Sequence, residues 1–304
     1  MVVPSPESCF PSIRCEDRAI AHLTGGIPTS ATLIYGSFAF NEHEHVRDID
    51  VLVLSKNATS RRWGPSACCS GQRINLRVVP ESAFLADSRD LVHGGSIAAR
   101  LVLGVGATDS IAKAGWLYVE AVSGLVHHFG LDAGLPASGF LEQMLVLLCR
   151  LCPTFVTATV KLLSTPVHRC ALERQIAFAQ ARGLGRCIPS TERVPLAEAR
   201  CRLLEHMIRW RQPMAANDIV PAHAKLAQAF STFAQHRTLL AAAFGSLAVD
   251  EIAAAIADTK LDLSRLGDGP ERPRLGTNER GDANHRVSPS EDPCVERPLA
   301  PFSF

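Results

Sequence analysis

Residues 47–54 read RDIDVLVL, a charged start followed by a run of apolar residues. Side chains alternate between the two faces of a strand, so Asp48 and Asp50 share one face. The opposite face carries Ile49, Val51 and Val53, which point into a core. Because two carboxylates on one face can converge on one divalent cation, this stretch predicts a strand with a metal site at its start.

A second predicted strand lies just upstream, at residues 31–35, and ends at Gly36 and Ser37. A turn of this kind exposes backbone N–H groups and a hydroxyl, which suit it to bind phosphate oxygens. Gly36 has no side chain to keep a triphosphate away from the backbone. Together with the paired aspartates, this turn predicts a site for metal-assisted transfer from a nucleoside triphosphate.

These residues carry a family resemblance. The spacing of Tyr35-Gly36-Ser37 and Asp48-Ile49-Asp50-Val51 resembles the signature of the DNA polymerase β-type nucleotidyltransferases. The resemblance covers residues 32–54 closely. It implies an α+β fold, in which a small mixed β-sheet nucleotidyltransferase head with flanking helices is followed by an all-α helical domain.

The resemblance also implies an activity. Asp48 and Asp50 would be the catalytic residues and the Mg²⁺ ligands, while Gly36 and Ser37 would bind the nucleotide. The expected donor is an NTP, most simply ATP, and the expected acceptor is a hydroxyl of a small molecule or a protein. An RNA acceptor is not expected, because the helical part has no basic stripe interleaved with aromatic residues.

The sequence departs from the family at the third carboxylate, whose position is best matched by Asn75. An amide carries no charge and cannot act as a general base, so a complete two-metal site is in question. Arg77 shares a strand face with Asn75 and could replace a missing cation, and Arg47 could pair with Asp48 or steer the triphosphate. Substitutes for the third acid are a histidine, Glu81, Asp87 or Asp90.

Two further interpretations therefore stay open. The chain could be a catalytically impaired nucleotide-binding or interaction protein of the same fold. It could also be a structural protein in which Gly36 and Ser37 form only a turn.

The roles of several histidines are open as well. His43 and His45 lie between the two motif segments, either in a solvated loop or as ligands of a softer ion. His93 precedes Gly94, Gly95 and Ser96, a pattern of either a phosphate or acceptor contact or a helix that begins with Ser96 as its N-cap.

Composition sets the wider organisation. The 304 residues are 47% hydrophobic with a formal net charge of +1, which argues against a broad electrostatic grip on a polynucleotide. The predicted segments are a flexible lead at 1–14, a nucleotidyltransferase domain at 15–105, a helical domain at 106–266 and a disordered tail at 267–304. With no signal peptide and no long apolar run, we expect a cytoplasmic protein without a membrane span.

Local patterns predict the elements. Strands are expected at 31–35, 49–55 and 73–79, an irregular loop at 56–72, and helices at 81–90, 95–103, 110–128 and, last, 247–260. The basic residues around Arg200 and Arg202 predict a solvated helix face. Cys149 and Cys152 precede Pro153 at the end of an apolar helix, which favours core packing over metal binding.

The predicted tail leads to a first test. Residues beyond Gly267 are rich in Pro, Arg, Glu and Gly, and cannot bury enough apolar area to offset their ordering entropy. Limited proteolysis should therefore remove them early and leave a folded fragment with unchanged nucleotide binding. Loss of solubility or of binding on truncation at Gly267 would contradict the predicted boundary.

Overall fold

The protein is described by a computed structural model. It covers residues 29–35, 48–56, 61–62, 66–67, 73–103, 106–107, 111–184, 192–209 and 222–267. This part of the chain is a mixed α+β structure, mostly helical, with one small sheet. The predicted lead at 1–14 and the predicted tail at 267–304, apart from Gly267 itself, lie outside the described residues.

The sheet is built around two parallel strands. Its strands are β1 (Thr29–Tyr35), β2 (Asp48–Ser55), β3 (Arg61–Arg62), β4 (Ser66–Ala67), β5 (Arg73–Pro80) and β6 (Gly106–Ala107). Strand β2 pairs in parallel with β5 and antiparallel with β1, whose other edge pairs with β6. Strands β3 and β4 pair antiparallel with β5.

The predicted strands are confirmed, with one correction. The segment at 56–72, predicted to be irregular, contains the two short strands β3 and β4. Their pairing with β5 gives hydrogen-bond partners to backbone groups that an edge strand would otherwise expose. A pair of two-residue strands is too short to leave an alternating pattern in the sequence.

The helices follow β5 along the chain, and the short strand β6 lies between the second and the third of them. Those described are α1 (Glu81–Asp90), α2 (Ser96–Val102), α3 (Ile111–Phe129), α4 (Ala137–Leu151), α5 (Phe155–Leu163), α6 (Pro166–Ala181), α7 (Leu196–Arg209), α8 (Ala222–Phe244) and α9 (Ser246–Gly267). The predicted helices at 81–90, 95–103 and 110–128 are confirmed to within a residue or so. The last helix is longer than predicted and reaches Gly267.

The main hydrophobic core joins the sheet to the helices. Leu52 and Leu54 of β2 and Val79 of β5 belong to the same buried cluster as Leu145 and Leu148 of α4. The opposite face of both strands is apolar and buried as well; it carries Ile49, Val51, Val53, Ile74, Leu76 and Val78. This core includes residues on both sides of 105/106, where the sequence predicts a domain boundary. That boundary remains a prediction.

A buried carboxylate organises the turn between α1 and α2. Asp87 is fully buried and accepts the backbone N–H groups of His93 at 2.8 Å, Gly95 at 3.0 Å and Ile97 at 2.8 Å. The expectation of Ser96 as N-cap is therefore wrong. Ser96 is the first helical residue, and the side chain that binds the start of α2 comes from α1.

Helix α7 docks against this turn. Gly94 has φ +64°, and a Cβ there would lie 2.1 Å from the carbonyl oxygen of Ala199, so only glycine lets α7 come this close. Arg202 donates from Nη1 to the carbonyl oxygens of Asp90, the last residue of α1, and of Leu91, which follows it. These contacts fix one helix against the end of another that is over a hundred residues away in sequence.

The sequence predicts a solvated helix face around Arg200, and for Arg200 itself this prediction is wrong. Arg200 is buried, and its guanidinium donates to Asp258 at 3.1 Å and to Asp262 at 3.2 Å, both on α9. A buried guanidinium needs such partners because its desolvation is costly. The acids that pair with it lie about 60 residues downstream, at a distance that a local charge pattern does not reveal.

The two neighbouring cysteines are core residues, as the sequence predicts. Cys149 and Cys152 are free thiols, and both are fully buried. Burial raises the pKa of the Cys149 thiol to about 12, so this thiol stays protonated at neutral pH. Within the described ranges, no helix has the length and apolar character needed to cross a membrane.

The contact between α1 and α3 gives a second test. A Cβ at Gly124 would lie 1.7 Å from the carbonyl oxygen of Ser88, so Gly124→Ala should lower the free energy of unfolding by at least about 2 kcal/mol. Gly139→Ala is the matched control, because it is also helical and its Cβ would meet only Leu135 at 3.9 Å. The control should be neutral or stabilise by up to about 1 kcal/mol. Urea unfolding measures both, and equal midpoints for the two variants would contradict the close α1–α3 contact.

Candidate functional site

The pairing of β2 with β5 brings Asp50 beside Asn75. These residues are register partners, and the amide Nδ2 of Asn75 donates to Oδ1 of Asp50 at 3.2 Å. On its other side Asp50 pairs with Tyr35, the last residue of β1. Asp48 begins β2 and pairs with Arg73. The sequence-predicted residues Asp50 and Asn75 are therefore neighbours, at the end of the sheet where β1 finishes.

A buried arginine lies next along the same face of β5. Arg77 is two residues from Asn75 and is only 7% exposed. Its Nη2 atom lies 2.7 Å from Nε2 of His206, which is on α7 and is 5% exposed. Because a guanidinium has donors only, Nε2 of His206 must accept, which leaves the proton of a neutral ring on Nδ1.

A second histidine packs on the first. The ring of His93 stacks on that of His206, with centroids 4.3 Å apart. The backbone of His93 is held by Asp87, so the turn between α1 and α2 sets the position of its ring. The turn between α1 and α2 and helix α7 thus bring two stacked imidazoles together, and that of His206 contacts Arg77.

Other predicted site residues lie outside the described residues. These are Gly36, Ser37, His43, His45 and Arg47. Asp48 is described by its backbone alone.

Two proposed substitutes for the third acid are placed elsewhere. Asp87 accepts three backbone N–H groups and serves the turn. Glu81 begins α1, six residues beyond Asn75, which corresponds to about 20 Å along an extended strand. The sequence also suggests a histidine as a substitute for the third acid. The structure places one near β5, because His206 contacts Arg77.

The donor atoms at Asp50 and Asn75 fit a hard cation. Carboxylate and amide carbonyl oxygens are ligands that Mg²⁺ accepts, and turning the Asn75 amide over would replace its N–H donor with the carbonyl oxygen. The N–H donor now occupies the place beside Oδ1 that a cation would take. Among the side chains that the structure describes, which exclude Asp48, no three His, Cys, Asp or Glu converge as metal ligands.

Sequence reasoning missed His206. It lies 129 residues from Arg77, and the only local signal is a helical apolar pattern with Leu203, Leu204 and Met207 around it. A histidine next to these core positions indicates that its ring faces inward, but not which strand it meets.

A third test concerns Asn75→Asp. Without metal, the variant replaces a hydrogen bond to Asp50 with a like charge at close range, and should lose about 1–3 kcal/mol of stability. With Mg²⁺ the new carboxylate becomes a ligand, so stability should return to the wild-type value or exceed it. Thermal unfolding in EDTA and in Mg²⁺ measures this difference.

The control for this test is Asn75→Leu, which also removes the hydrogen bond but adds no charge. It should be destabilised to a similar degree in EDTA and in Mg²⁺. An Asn75→Asp protein that responds to Mg²⁺ no more than this control would mean that the position does not contribute to a cation site.

Comparison with protein-family models finds no match to this chain, and comparison with curated proteins finds no significant match. What the chain does is therefore inferred from its own residues: a carboxylate and an amide paired across two parallel strands, followed on the same face by a buried arginine that a histidine of α7 holds.

Proposed function

We propose that this protein is an Mg²⁺-dependent nucleotidyltransferase of the polymerase β-like superfamily. It would move a nucleoside monophosphate from an NTP, with ATP as the expected donor, to a hydroxyl of a small molecule or a protein. The cytoplasm is the expected location. The observation that carries the proposal is the parallel register of β2 and β5, which sets Asp50 beside Asn75. The family resemblance requires two such positions, on neighbouring strands and facing one metal site.

A second observation agrees with it. Strand β1 ends at Tyr35, opposite Asp50, and the chain continues from there into Gly36 and Ser37. In the proposed site these two residues bind the triphosphate, and Asp48 and Asp50 hold the cation. The phosphate-binding segment and the aspartates would then meet at one end of the sheet.

The proposed reaction is an in-line displacement. The acceptor oxygen forms a bond to the α-phosphorus, the bond from that phosphorus to the bridging oxygen breaks, and pyrophosphate leaves with the electron pair. The hydroxyl proton leaves to water. Mg²⁺ supplies charge neutralisation at the phosphate oxygens when it is bound, while the residues of the chain hold the triphosphate and orient it.

One observation favours a second candidate, a nucleotide-binding protein without turnover. The position of the third carboxylate is Asn75, and its amide already pairs with Asp50. An amide cannot accept the acceptor's proton as a general base. Binding of Mg²⁺ and ATP is common to both candidates, whereas release of pyrophosphate belongs to the enzyme alone.

The fourth test measures nucleotide binding. At a hundredfold excess over its Kd, a ligand stabilises the native state by about 2.7 kcal/mol, which corresponds to a rise of at least about 5 °C in Tm for a domain of this size. ATP should produce this rise with Mg²⁺ and not with EDTA. Asp50→Asn should remove the rise and keep a cooperative unfolding transition.

Asp250→Asn is the matched control. It removes a carboxylate whose only role in the described structure is an exposed ion pair with Arg237, a contact of small value. The control should keep the full response to MgATP. Equal stabilisation of the wild type by ATP in EDTA would contradict the metal site. Release of labelled pyrophosphate from ATP would then separate the enzyme from the binding protein.

A further inference from the structure

Arg77 lies on the strand face that carries Asp50 and Asn75. It follows Asn75 on the same face of β5, about 6.6 Å along the strand. Its register partner is Leu52, two residues after Asp50. A permanently charged guanidinium therefore stands one step along the sheet from the proposed cation site, on the face that the carboxylate uses.

His206 restricts the orientation of that guanidinium. It accepts the Nη2–H of Arg77 at 2.7 Å, and both side chains are buried. A neutral imidazole gives Arg77 an acceptor, so this contact restricts the direction of the guanidinium.

The position of His206 is itself fixed from two sides. The ring of His93 stacks on it, and His93 is held by the buried carboxylate of Asp87. Helix α7 is held against the same turn by the close approach at Gly94. The direction of Arg77 therefore depends on the docking of α7 and of the turn between α1 and α2.

We propose that Arg77 binds phosphate oxygens of the nucleotide, and that His206 is the positioning residue that aims it. The proposal rests on the proposed function. It assigns part of the neutralisation of the triphosphate to an arginine, at a site where the third carboxylate of the family pattern is an asparagine. It also makes nucleotide binding at the sheet depend on a helix that lies far along the chain.

The test is a set of MgATP and MgAMP affinities measured by calorimetric titration on the full-length chain. Arg77→Ala should weaken MgATP binding by about 10- to 100-fold, the effect of losing one charged hydrogen bond to phosphate. MgAMP should lose less, because it offers fewer phosphate oxygens. His206→Leu should weaken MgATP binding by a smaller factor, and His206→Gln, whose side-chain oxygen can accept from Arg77, should restore it.

A double-mutant cycle separates positioning from general stability. If His206 acts through Arg77, adding His206→Leu to Arg77→Ala should cause no further loss of affinity. His128→Leu is the matched control, since it also removes a buried imidazole with two hydrogen bonds, to the carbonyl oxygen of Arg89 and the N–H of Val194. It should lower stability and leave the affinity for MgATP unchanged.

A measurement on the unmodified chain keeps the proposal testable if the His206 variants do not fold. The guanidinium ¹⁵N resonances of Arg77 should shift on addition of MgATP. Unshifted resonances, an additive double-mutant cycle or an equal loss in His128→Leu would overturn the assignment while MgATP binding by the wild type stood. A wild type that bound no MgATP would overturn the proposed function, and this inference with it.

Discussion

The parallel pairing of β2 with β5 is the constraint on which the candidate site depends. One face of the two strands carries the buried apolar residues Ile49, Val51, Val53, Ile74, Leu76 and Val78. The other face begins with polar residues and carries the buried apolar residues Leu52, Leu54 and Val79 further along. A slip by one residue would turn Asp50 and Asn75 into the core and expose the apolar residues beside them. The hydrophobic core therefore sets the register, and the register sets which polar groups meet.

A second constraint comes from the helices. The carboxylate of Asp87 gathers three backbone N–H groups into one turn, and helix α7 packs on that turn at Gly94. His206 reaches Arg77 only because this docking is close. Sheet and helical part are thus coupled by a buried hydrogen bond as well as by the shared apolar core.

The sequence predicts the local parts of this arrangement and misses the distant ones. The apolar run after Asp50 and the alternation in residues 73–79 are enough to predict both strands and the shared face of Asn75 and Arg77. The alignment of Asn75 with the aspartates is expected from the family resemblance, and the parallel register sets Asn75 beside Asp50. The contact between Arg77 and His206 depends on the packing of a helix that lies more than a hundred residues downstream of β5. The local periodicity of the sequence carries no information about that packing. The role of Asp87 was also missed, because its three partners are backbone groups, which look the same in any sequence.

The most direct test of the central claim is paramagnetic line broadening by Mn²⁺ in the presence of ATP. Mn²⁺ takes the same oxygen ligands as Mg²⁺ and broadens the NMR signals of nuclei close to it. The account predicts strong broadening of the Asn75 side-chain amide and of the Leu52 methyl groups, and the loss of this broadening in the Asp50→Asn variant. A sharp Asn75 amide at saturating Mn²⁺ and ATP, or equal broadening in Asp50→Asn, would contradict it.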